Sequence, residues 1–173
     1  MSDLYERVSE ARTGLEKLLG KIPGYKGYKE KEMRRESDKI LRETVATQME
    51  LRRQRMDDLQ KQLISAGRFE YLDELGNADT KLQTFIDRVR KATYGYAGLF
   101  DAVRVREEEL DRLYDFDNRL LEFDERLSAA LDNLETSIPG GEGLAEAVRQ
   151  VLDICADANR TFDEREQVIL GAI

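Results

Sequence analysis

Apolar residues recur along this chain in steps of three and four, the spacing of one helix face, and almost nowhere in the alternation that marks a strand. Leu4, Val8, Ala11, Leu15, Leu18 and Ile22 form the first such stripe, with Ser2 placed to cap it and Gly20 and Pro23 placed to end it. This predicts a helix over about 2–20. A second helix is expected over about 28–66, stopped by Gly67; its stripe of Val45, Met49, Met56, Leu59 and Leu63 is thin and is interrupted by Arg42 and Arg52. The segment "RFEYLDELGNADT" promises one helical turn, then a Gly76-Asn77 break with Asn77 or Asp79 as the cap of the next helix.

The longest pattern runs from Leu82 to Ile138 through Phe85, Val89, Ala92, Tyr96, Leu99, Val103, Arg106, Leu110, Leu113, Asp117, Leu120, Asp124, Leu127, Leu131 and Leu134 without a slip. Gly95 and Gly98 fall outside this seam, so the spacing predicts one helix over about 78–138, roughly 90 Å long at 1.5 Å per residue. The alternative is a break at Gly95 to Gly98, since each glycine costs a helix about 1 kcal/mol. Pro139-Gly140-Gly141 ends the pattern, and Leu144, Val148, Val151, Cys155, Ala158 and Phe162 begin a last helix over about 143–172. Thr161 to Glu164 has the spacing of a capping box, which would interrupt that helix near Asn159.

These elements make an all-α fold: one domain over 1–173, an elongated antiparallel, coiled-coil-like bundle built on the long central helix. If the chain turns near residue 72, Asp117 lies across from residue 27. Charge supports such a pairing, because Lys21–Lys61 carries 12 basic against 8 acidic residues while Leu99–Ser137 carries 5 basic against 12 acidic.

Composition narrows the function classes. Charged residues make up 37% of the 173 positions and Pro occurs twice, as expected for long solvent-lined helices. A net charge of −8 argues against nucleic acid as a partner, since phosphate binding needs a basic face. No apolar run approaches the ~20 residues that span a bilayer, and the amphipathic "MSDLYERVSE" is not a secretory leader; a cytoplasmic protein is expected, with membrane contact restricted to the periphery. The chain has no histidine, which removes the Glu-x-x-His di-iron pattern, and Asp111 to Glu122 fails as a calcium loop because Phe116 stands at the sixth position. The single cysteine, Cys155, lies on a core stripe with no base to activate it. No catalytic, metal or cofactor-binding residues are expected, and no small-molecule substrate.

Two features invite chemistry. Asp117 and Asp124 sit on the apolar seam among Leu113, Phe116, Leu120, Leu121, Phe123 and Leu127, where a lone carboxylate is costly to desolvate. The loop "KIPGYKGYKEKE" alternates Lys21, Lys26, Lys29 and Lys31 with Tyr25 and Tyr28. In the structural reading Lys26, Lys29, Tyr25 or Tyr28, with Arg35 or Arg42 as substitutes, neutralise the aspartates and pin the bundle's register. In the functional reading the same residues, with Arg34, bind an anion or a lipid headgroup. In the third, the helix rotates and both aspartates reach water. Tyr94, Tyr96 and Phe100 are expected in the core rather than in a ligand patch.

At "IPGYKGYKEKE" and "ATYGYAGLFDAV" the chain resembles a family of bacterial all-helical proteins of uncharacterised activity, over roughly residues 21 to 127. The resemblance implies no residue roles; it implies an association with membrane-stress modules that contain stomatin-type or phage-shock-type partners. The seam is longer than any other helix can cover, so the expected function is a non-enzymatic helical scaffold or adaptor with protein partners and self-association into a homo-oligomer. The alternative is a peripheral membrane or anionic-lipid accessory role for residues 21–35.

Overall fold

The computed structural model describes residues 15–28, 31–92 and 107–171. Residues 15–21 are helical (α1), followed by α2 (Lys31–Ser65), a 3-10 turn (Phe69–Tyr71), α3 (Leu72–Lys91), α4 (Glu107–Ser137) and α5 (Leu144–Gly171). No strand occurs among the described residues, and the helices share one continuous apolar core from Leu18 to Ile169. The fold is an all-α bundle.

Its topology follows from the ion pairs between helices. Arg53 grips Asp79 at 2.8 Å and Arg42 Nη1 reaches the Val89 carbonyl at 3.4 Å, so α2 and α3 run antiparallel. Arg126–Asp157 and Arg119–Glu164 set α4 antiparallel to α5. Between these hairpins the contacts are parallel: Arg52–Asp124 and Arg55–Glu135 join α2 to α4, and Asn159 donates to the Lys81 carbonyl while Arg88 pairs with Asp163 and Glu166, joining α3 to α5. Two antiparallel hairpins therefore lie side by side, with α2 facing α5 and α3 facing α4 across the middle. The basic stretch of α2 meets the acidic α4, as the charge asymmetry expects.

This arrangement overturns the single helix over 78–138. Adjacent residues Arg52 and Arg53 hold Asp124 and Asp79, which one continuous helix would separate by about 68 Å; α3 and α4 instead run in opposite directions. The seam misled because heptad phase reports which face is apolar, not whether the helix is continuous. Residues 93–106 fill two heptads, so the register looks unbroken across them. Gly95, Gly98, Tyr94, Tyr96 and Phe100 lie outside the described residues, as do residues 1–14, 29 and 30.

Two further boundaries differ. α3 begins at Leu72 and runs through Gly76-Asn77, so Asp79 is an ion-pair partner and not a cap. Complete burial of Leu75 and Ala78 outweighs the ~1 kcal/mol cost of a helical glycine, since burying one leucine contributes about 1.5–3 kcal/mol. α5 is uninterrupted at Thr161, because Phe162, Arg165 and Ile169 are all buried and hold its last turns against the bundle. The expected stops do occur elsewhere. At the end of α2, Gly67 adopts φ +71° and the amides of Gly67 and Arg68 donate to the carbonyls of Ile64 and Leu63, the paired hydrogen bonds of a Schellman cap.

Candidate functional site: a buried layer of charge

The loop after α1 folds inward. Gly27 has φ +89°, and a Cβ there would lie 2.7 Å from Leu15 Cδ1 and 2.8 Å from Tyr114 Oη, so only glycine fits. The neighbouring backbone is tied on every side: the Tyr28 amide donates to Tyr114 Oη (2.7 Å), Ser37 Oγ donates to the Gly27 carbonyl (3.1 Å), and Arg34 Nε donates to the Tyr28 carbonyl (2.7 Å). These bonds carry Tyr25 and Tyr28 into the core, their rings edge to face at 5.8 Å.

Tyr28 then donates to Asp117 Oδ2 at 2.5 Å, and Asp117 is fully buried. The second oxygen of Asp117 accepts from Arg165 Nε at 2.8 Å; Arg165 Nη2 donates to Asp38 Oδ1 at 2.9 Å, and Asp38 Oδ2 accepts from Arg42 Nε at 2.7 Å. Arg42 reaches on to the Val89 and Arg90 carbonyls at the end of α3. One chain of hydrogen bonds thus passes through the loop, α4, α5, α2 and α3 in a single layer. Arg165 crosses the middle of the bundle from α5 to α2, which is why it is wholly buried. Two carboxylates face two guanidiniums, and the layer is formally neutral.

Burial dominates its electrostatics. Desolvation pushes the Asp117 carboxyl up to about 6, even though Arg165 and the Tyr28 hydroxyl both favour the charged form. Tyr28 is pushed well above the usual phenol range, first by burial and then by the negative charge of Asp117, so it stays a proton donor at any physiological pH. Tyr25 and Tyr114 move in the same direction, again chiefly through burial.

The expected site residues are dispersed. Tyr28 and Asp117 are bonded directly; Tyr25 packs beside them, and its hydroxyl finds no hydrogen-bond partner among the described residues. Arg42 enters through Asp38 and does not touch Asp117 in any hydrogen bond described. Lys26 and Arg35 point outward, and Lys29 lies outside the described residues. Asp124, one heptad on, forms a separate bidentate pair with Arg52 at 2.7 and 3.0 Å. Tyr28 reaches Asp117 for a different reason than the hairpin arithmetic supposes: the chain turns at Gly67, α2 and α4 are parallel, and the inward loop supplies the approach. Asp38 and Arg165 were not singled out from the sequence. Both were legible, since Arg165 continues the stripe Ala158-Phe162 by three residues and Asp38 stands four before Arg42.

Tyr28, Asp117 and Arg165, the centre of the layer, are fully buried and closed to a substrate. Two grooves of the described surface, lined by Lys39, Arg42, Glu43, Ala46, Thr47 and Arg90 and by Thr84, Asp87, Arg88, Lys91, Ala92 and Glu166, do not include Asp117, Tyr28 or Arg165; Arg42 alone of the layer borders the first. Among the described residues no group of three His, Cys, Asp or Glu is placed to hold a metal ion, and no helix is long and apolar enough to cross a membrane. Cys155 is buried, and desolvation pushes its thiol up to about 12. No family model, curated protein or solved structure matches the chain.

Proposed function

We propose that this chain is a non-enzymatic helical scaffold or adaptor that works through helix–helix contacts with protein partners, its own copies included. The observation that carries this reading is the self-neutralised buried layer: Asp117, Arg165, Asp38 and Arg42 are bonded to one another, leaving the outer helical faces as the surface offered to other molecules. An uncovered apolar seam plays no part in it, because Leu113, Leu120, Leu127, Leu131 and Leu134 are all buried against neighbouring helices. The anchors are instead the exposed large apolar residues, Leu51 at mid-helix and Ile64 and Phe69 beside the α2–α3 turn, Phe69 being 61% exposed. A peripheral lipid role for residues 21–35 draws less support, since Tyr25 and Tyr28 lie in the core rather than at an interface, Arg34 is buried and Lys21 pairs with Glu125 at 3.3 Å.

Sedimentation velocity over a wide concentration range, with Ile64→Glu/Phe69→Glu as control, tests the self-association arm. Concentration-dependent growth lost in the variant agrees with the proposal. For other partners, proteins captured by the wild type and released by the same double variant agree with it. A monomer at every concentration whose captured set is unchanged by the variant refutes it.

A further inference from the structure

The groove between α2 and α3 has a volume of about 370 Å³ and is lined by Lys39, Arg42, Glu43, Ala46, Thr47 and Arg90. Arg42 is its fixed element. Its side chain is 7% exposed, Nε is held by Asp38 at 2.7 Å, and Nη1 is aimed at the Val89 and Arg90 carbonyls at 3.4 and 3.5 Å. A guanidinium held on two edges needs no further ordering to bind, and its Nη2 makes no hydrogen bond among the described residues. Lys39 from α2 and Arg90 from α3 line the same groove with side chains 69% and 51% exposed. Their ion pairs are long, 3.8 Å to Glu43 and 3.6 Å to Glu50, beyond hydrogen-bond range, so both ammonium and guanidinium retain donors. Three cations from two helices therefore share one concave surface with a single lining carboxylate, Glu43.

We propose that this groove binds an oxyanion of the phosphate type, with Arg42 as the preorganised donor and Lys39 and Arg90 closing on it from either side. A phosphate group suits the lining better than a carboxylate, because its second charge and third oxygen can engage donors that Arg42 alone leaves unused. The net charge of −8 opposes anions at long range, but that field is screened beyond about 8 Å at physiological salt, so the site acts at contact and weakens as salt rises. This inference stands apart from the scaffold reading, which concerns the apolar anchors at the α2–α3 turn. The same chemistry arrives on a free phosphate or on a phosphatidic acid headgroup, and the test separates the two.

The full chain, labelled with ¹⁵N, is titrated with inorganic phosphate at constant ionic strength. The expected result is a saturable shift confined to the amides of Lys39, Glu43, Thr47 and Arg90 and to Arg42 Nε, with a Kd on the order of 1 mM. Lys39→Gln/Arg90→Gln, which leaves the buried Arg42–Asp38 pair in place, should weaken binding at least tenfold, and each single substitution should fall between. Co-sedimentation with phosphatidylcholine vesicles containing phosphatidic acid, lost in the double variant, assigns the headgroup as source; saturation by phosphate without vesicle binding assigns the free anion. Shifts that do not saturate, that spread over the exposed lysines and arginines, or that persist in the double variant overturn the proposal.

Discussion

Replacing Arg165 with methionine should be among the most damaging single changes in this protein. Arg165 is fully buried and is the cation shared by Asp117 and Asp38. Without it Asp38 keeps Arg42, but Asp117 keeps only the Tyr28 hydroxyl, a neutral donor, inside a site that already resists its charge. Stranding one member of a buried pair costs about 3–5 kcal/mol, a large part of the 5–15 kcal/mol that usually holds a domain together. The converse change, Asp117→Leu, should cost less, about 1–2 kcal/mol, because Arg165 retains Asp38 and the loss reduces to the unsatisfied Tyr28 hydroxyl and half an ion pair. The double variant should be more stable than the sum of the singles implies, with a coupling above 1 kcal/mol. Urea unfolding followed by far-ultraviolet circular dichroism at pH 7.5 gives all four values. The Arg165→Met penalty should also shrink at pH 5, where Asp117 protonates and no longer needs a cation. Additivity within about 0.5 kcal/mol, or an Arg165→Met protein as stable as the wild type, refutes the reasoning.

Other consequences are open to measurement. Because the folded Asp117 carboxyl is raised to about 6 from an ordinary value near 3.8, its contribution is fully present below about pH 4 and lost as pH rises through 6. Wild type should therefore lose stability relative to Asp117→Asn between those limits, on the order of 3 kcal/mol; a flat difference curve contradicts the buried assignment. Gly27→Ala meets both a positive φ and two atoms within 2.8 Å, and should cost about 2 kcal/mol or more in thermal or chemical melts, whereas Gly20→Ala, with open space around it, should be neutral or stabilising. Cys155 should ignore a thiol reagent such as DTNB in the native state and react stoichiometrically in 6 M guanidinium, since it is buried with its thiol raised to about 12; rapid native reaction would show that α5 opens easily.

The helices and most of the core were legible because each amphipathic stripe is a local signal: Val45, Met49, Met56, Leu59 and Leu63 read as one face and lie on one face. Asp117 was legible as inward-facing for the same reason. Its cation Arg165 is obscured in the sequence by an apparent capping box at Thr161, a local motif that yields to burial of Phe162 and Ile169. Chain reversal between α3 and α4 left no trace in the pattern, since a two-heptad interval restores the phase. The partner of Asp124 lay in view as well: Arg52 reads as a defect in the α2 stripe and proves to be half of an ion pair between parallel helices.

The buried layer forms only if α3 and α4 fold back into one bundle, and a spin-label distance tests that directly. In a Cys155→Ala background, labels on Thr80→Cys and Glu125→Cys occupy exposed positions on facing helices whose neighbours Asp79 and Asp124 pair with consecutive arginines. With neighbouring helix axes packed at 8–10 Å, pulsed double electron–electron resonance should give a narrow distribution at about 30 Å or less. A distance near 68 Å, that of 45 residues on one straight helix from 80 to 125, would contradict the bundle and with it the Asp117–Arg165–Asp38 layer.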